Sequence, residues 1–107
     1  MGSKTEKDLI AWVNEITPDT PIETFKSANL KSGVVLIKLC ANIEPRIVNY
    51  DLVTPGETPE DQELNAKYAI SIARKLGAVI FLVWEDIPAT NPKMLLVFVA
   101  ALWDLKQ

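Results

Sequence analysis

Apolar residues recur at helical spacing in four stretches of this chain, and in the last stretch they become continuous. Near the N-terminus, Leu9, Trp12, Val13 and Ile16 fall at i, i+3, i+4 and i+7, one stripe of an amphipathic helix. Thr5 and Asp8 stand at capping-box spacing just before it, and Pro18 and Pro21 end it. A second stripe runs through Leu36, Leu39, Cys40 and Ile43, widened by Val34, Val35 and Ile37. Ser32 is its expected N-cap, ahead of Gly33, and Glu44-Pro45 is its stop. The third helix start is Thr58-Pro59-Glu60-Asp61: a capping residue, proline at the first helical position, then acids near the positive helix end. Ala66, Ala69, Ile70, Ala73 and Leu76 carry that helix to Gly77, and the alanines predict close approach to another helix. Finally Asn91-Pro92 opens a helix whose Met94 to Trp103 (MLLVFVAALW) is apolar on every face. Such a helix is expected to be buried among the others, and it falls short of the about 20 residues that span a bilayer.

The stretches between these helices read differently. Residues 22–31 have no sustained period, and Phe25 and Leu30 are expected to pin them to the core. Residues 46–57 read as a loop anchored by Ile47, Val48, Tyr50, Leu52 and Val53 and turned at Pro55-Gly56. Val79 to Val83 (VIFLV) looks like a strand, yet no second strand-like run exists to pair with it. Buried coil or a single helical turn is the expectation there, followed by a short helical turn at residues 84–88. The fold class is therefore all-α, one domain over residues 5–107. Residues 1–4 form a tail in which Met1-Gly2-Ser3 reads as a cloning remnant, and Glu6 breaks the pattern for N-myristoylation.

Bulk composition narrows the function. The 107 residues can bury a core, and 49% hydrophobic with 23% charged residues is globular. A net charge of −3 and a pI of about 4.9 argue against a duplex nucleic-acid binder. One cysteine allows no internal disulfide and fits a reducing compartment. With no histidine, the Ser-His-Asp and Cys-His nucleophiles and the usual zinc sites are absent. Cys40 lies inside an apolar stripe and reads as core. Glu57, Glu60, Asp61, Glu63 and the pair Glu85-Asp86 read as capping and solvated charge, not as a catalytic carboxylate pair. No metal, cofactor or catalytic residue is expected, and a binding module is the better reading than an enzyme.

With these segments placed, the sequence resembles a calponin-homology domain. The resemblance rests on the Trp-bearing helix Leu9-Ile10-Ala11-Trp12, the Gly-led stretch Ser32 to Leu39 and the stop at Pro45. It extends through Asn65 and Ala69 to Gly77, then Asp86-Ile87 and Lys93. Within that family the similarity is closer to the fimbrin (plastin) branch. Residues 44–53 (EPRIVNYDLV) look like the fimbrin loop, and residues 64–78 with 91–94 look like the last of fimbrin's four such domains. Ser32 departs from the family's usual Asp or Asn, and Trp84 stands where proline is expected in fimbrin's last domain.

The resemblance implies four principal helices with the Gly-led and final helices central. It also implies binding to F-actin beside a neighbouring calponin-homology domain, weak on its own, in a cross-linking parent of the actin cytoskeleton. The candidate surface is the polar side of the first helix: Lys4, Lys7, Asp8, Ala11 and Asn14. The alternative is a protein-interaction or regulatory domain that never touches the filament. Anionic-lipid binding through Lys67, Arg74 and Lys75 falls short of the about 4–8 clustered bases it needs. No nucleic acid or stable membrane insertion is expected, and the isolated domain is expected to be monomeric.

Overall fold

A computed structural model describes residues 5–106, so Lys4 and the rest of the expected tail lie outside the described residues. Four α-helices carry the fold: α1 (Glu6–Ile16), α2 (Val34–Ile43), α3 (Pro59–Leu76) and α4 (Pro92–Lys106). Short 3₁₀ turns at Ala28–Leu30, Pro45–Ile47, Tyr50–Leu52 and Trp84–Asp86 punctuate the connections, and no strand occurs among the described residues.

Local chemistry sets the helix ends. The Thr5 hydroxyl accepts from Asp8 N (3.2 Å) while Thr5 N donates to the Asp8 carboxylate (3.3 Å), the expected capping box. Thr58 accepts from Asp61 N at 3.1 Å, and Gly77 closes α3 in the left-handed conformation (φ 104°). One start differs from expectation. Gly33, not Ser32, is the N-cap of α2, with φ +79°, and the Ser32 hydroxyl instead accepts from Val34 N at 3.1 Å. A positive φ favours glycine over serine at the capping position itself, so Ser32 acts one residue earlier.

Helix α2 is the hub. It packs against α1, α3 and α4, and its Val35, Leu36, Ile37, Leu39 and Cys40 are all buried. Helix α3 lies along α2 with Ala66, Ala69 and Ala73 fully buried, so small side chains let the two backbones approach. Helix α1 buries Leu9, Trp12 and Val13, and Phe25 and Leu30 pin the following connection as expected.

Helix α4 is less enclosed than its composition suggests. Leu95, Phe98, Val99 and Leu102 are buried against α1 and α2, but Val97 is exposed and Leu96 and Ala100 are half-buried. Two neighbouring helices cover one side of α4; its outer side stays open. The loop over 46–57 also differs: Ile47, Val48 and Val53 anchor it, whereas Tyr50 and Leu52 point to solvent. Tyr68 helps hold it by accepting from Asn49 N at 2.7 Å.

Buried Asn65 joins these parts. Its amide Nδ2 donates to Ser32 O (2.8 Å) and Thr54 O (2.9 Å), and its Oδ1 accepts from Thr54 N (2.9 Å). One side chain of α3 thereby fixes both the start of α2 and the end of the preceding loop.

Candidate functional site

The outward side of α1 is formed by the residues that its apolar stripe leaves out. Lys7, Asp8 and Ala11 are exposed there, one to three residues apart along the helix. Lys4 lies outside the described residues. Asp8 is also a capping residue, because its carboxylate accepts from Thr5 N. Asn14 is occupied differently from the expected surface role. Its Oδ1 accepts from Ile22 N (2.8 Å) and its Nδ2 donates to Ile22 O (2.9 Å). This two-way bond uses both ends of the amide to hold the connection after α1, leaving Asn14 half-buried. The described surface of α1 carries one base, Lys7, against the acids Glu6, Asp8 and Glu15.

A second surface involves α3. An open groove of about 520 Å³ runs between α3 and residues 82–85. Ile70, Leu82 and Trp84 supply its apolar lining, and Lys67, Arg74 and Lys75 its charge. Trp84 is half-buried and also borders an adjoining groove of about 490 Å³ that Glu60, Glu63 and Glu85 make acidic. Lys67 reaches Glu63 at 2.6 Å and lies 5.5 Å above the Trp84 ring, a cation–π arrangement bridging the two grooves. Asp86 holds the corner behind Trp84: its carboxylate accepts from Val83 N (3.1 Å) and from the Asn91 amide (3.2 Å). The carboxylate pair Glu85-Asp86 therefore divides into one solvated acid and one structural one.

The segment leading into this groove departs from expectation. Residues 79–83 are coil and not a helical turn, but they are not buried throughout; they alternate. Ile80 (9% exposed) and Leu82 (3%) enter the core, while Val79 (65%), Phe81 (73%) and Val83 (58%) face out. All five residues are apolar, so no polar position in the sequence marked which side would meet water.

Elsewhere the chemistry is quiet. Burial pushes the Cys40 thiol up to about 12, so it stays protonated and unreactive near neutral pH. Arg46 holds the Glu44 carboxyl down at about 2, first through its side-chain hydrogen bonds (Nε 3.0 Å, Nη2 3.1 Å) and then through its backbone N–H (3.0 Å). Trp12 meets Trp103 edge-on, ring centres 5.3 Å apart, and Lys106 sits 5.0 Å from the Trp103 ring. Among the described residues no group of three or more His, Cys, Asp or Glu side chains gathers where a metal ion could bind.

Three helices packed around a Gly-led α2 fit the resemblance, and comparison with known proteins decides the family. The profile of the Calponin homology (CH) domain matches residues 3–107. The chain belongs to the calponin homology family. This CH domain is 44% identical to Fimbrin-5 of Arabidopsis thaliana over 109 aligned residues, covering 96% of the chain and 16% of that relative. It is 39% identical to Plastin-3 of Rattus norvegicus, covering 94% of the chain and 17% of that protein. The actin-crosslinking core of Schizosaccharomyces pombe fimbrin superposes with a TM-score of 0.86 at 39% identity, over 92% of this chain and 22% of that structure. The chain thus spans about one sixth of the length of the curated relatives it matches.

Of the candidate site residues, α1 brings Lys7, Asp8 and Ala11 to the surface of the CH domain and commits Asn14 to the fold. Trp84, Val83 and Ile70 join Lys67, Arg74 and Lys75 in a groove that sequence spacing did not assemble. The one signal for it was Trp84 itself, where the fimbrin pattern leads one to expect proline.

Proposed function

We propose that this CH domain is an actin-filament-binding module of a fimbrin-like cross-linking protein. It acts with a partner CH domain, is weak and monomeric alone, and corresponds to the last of fimbrin's four such domains. The observation carrying the reading is its fit, at 39% identity and a TM-score of 0.86, to part of an actin-crosslinking fimbrin core. The working location is the cytoplasmic actin cytoskeleton, and the role is binding, with no catalysis, cofactor or metal. The filament-facing surface is assigned to Lys7, Asp8 and Ala11 of the first helix, with Lys4 preceding it in the sequence and Asn14 supporting it from beneath. Filament co-sedimentation tests this, using the chain alone and fused behind its preceding domain. Stronger pelleting by the fusion, reduced by Lys4→Glu/Lys7→Glu, is the expected result. Equal binding by wild type and variant rejects the patch; no gain from the fused domain rejects the assisting role.

A second reading has one observation in its favour. The described α1 surface bears a single lysine among three acids, a poor match to an acidic filament. On that reading the chain is a protein-interaction or regulatory CH domain that does not touch actin directly, and the fusion sediments no better than its first domain alone.

A further inference from the structure

We propose that the groove between α3 and residues 82–85, with the apolar strip Val79, Phe81 and Val83, docks an extended polypeptide segment that alternates acidic and apolar side chains. Three observations carry this. Residues 79–83 alternate outward and inward at a period of two, the geometry of a strand with no neighbour. The backbone N–H groups of Val79, Ile80, Phe81 and Leu82 donate to no acceptor among the described residues. At the exposed residues Val79 and Phe81 such an edge is a template for an added strand, main-chain bonds giving affinity and alternate side chains giving specificity. Val79, Phe81 and Val83 each expose more than half of their surface, three alternate apolar side chains facing out within five residues.

Charge selects the occupant. Lys67, Arg74 and Lys75 line the groove where it meets Val83, opposed within the lining by Glu85 alone. Lys67 is partly engaged by Glu63 outside that lining, which leaves Arg74 and Lys75 as the principal charge. A basic or neutral segment would meet these cations without compensation, whereas carboxylates would be drawn in. The three bases are too few for an anionic membrane surface, which favours a peptide over a lipid headgroup.

The test uses the 107-residue chain, isotopically labelled, titrated with a short capped peptide of alternating glutamate and valine. Amide shifts confined to residues 67–75 and 79–85, with slowed hydrogen exchange at Val79 and Phe81, are expected. A matching lysine–valine peptide is expected to bind at least about tenfold more weakly. Arg74→Glu/Lys75→Glu reverses that preference, and Phe81→Ser weakens both peptides while leaving the thermal midpoint unchanged, since Phe81 is 73% exposed. No shift up to about 1 mM peptide, or equal binding of the two peptides, overturns the proposal. So do concentration-dependent shifts at residues 79–83 without peptide, which assign the strip to a second copy. Binding to vesicles of anionic phospholipid with no response to the peptide overturns it in favour of a membrane. None of these readings uses actin, so the outcome is independent of the function proposed above.

Discussion

At the scale of single residues, the side chains that hold this fold are of two kinds, and only one kind announces itself in the sequence. Trp12 and Cys40 belong to apolar stripes, and both are buried. Trp12→Ala is expected to cost about 3–5 kcal/mol in chemical denaturation; wild-type stability would mean that Trp12 does not carry the α1–α4 contact. Asn65 is equally buried but polar, and helical spacing cannot tell an inward asparagine from a solvated one. Its three bonds to Ser32 and Thr54 reveal it. Asn65→Ala leaves Thr54 N and two carbonyls without their partner and is expected to cost on the order of 3 kcal/mol in the same assay. Asn14 is a similar case: on the helix it looks like a free surface amide, and only the return of the chain at Ile22 uses it. Glu44 gives a pH signature. Its folded pKa lies near 2, below the ordinary 4.5, so its contribution is complete above the ordinary value and is lost as pH falls from there toward 2. An NMR titration should place its midpoint near 2, and Arg46→Ala should return it toward 4.5.

At the scale of elements, the four helices were legible because each couples an apolar period to a recognisable start or stop. Thr5, Thr58 and Gly77 act where the pattern places them. The start of α2 was misplaced by one residue because the deciding quantity is a backbone angle. Gly33 has φ +79°, and a Cβ there would lie 2.9 Å from the Asn65 Cβ. Gly33→Ala is therefore expected to destabilise by about 1–3 kcal/mol, through left-handed strain and displacement of Asn65. A thermal melt unchanged from wild type would show that the α2 start relaxes without cost. Continuous apolar runs were the hard case. In Met94 to Trp103 and in Val79 to Val83 every position is apolar, so the pattern contains no information about which side faces out. The structure answers differently for each: α4 leaves Val97 open, and the 79–83 segment leaves alternate residues open.

At the scale of the whole molecule, the question is whether one such domain can join two filaments. Cross-linking needs two separate filament-binding surfaces. The molecule measures 40 × 27 × 26 Å and carries a net charge of −3, while actin filaments are acidic, so docking must rely on a local patch and not on net attraction. The first-helix surface is the patch proposed here, and its described part is not strongly basic. The groove of Lys67, Arg74 and Lys75 is basic, but it is the surface proposed above for a polypeptide segment. A single weak surface can decorate a filament without bridging it. Joined to a second domain, the same surface binds at the effective concentration that the linkage sets, provided both domains reach the filament together. The isolated chain is therefore expected to leave filaments unbundled: low-speed centrifugation should leave actin in the supernatant, and electron micrographs should show single filaments. Bundles formed by the monomeric chain would mean that the groove at Trp84, or the open side of α4, is a second filament site. In that event Phe81→Ser and a Val97→Ser variant would each be tested for loss of bundling with filament decoration retained, which would locate that site on one face or the other.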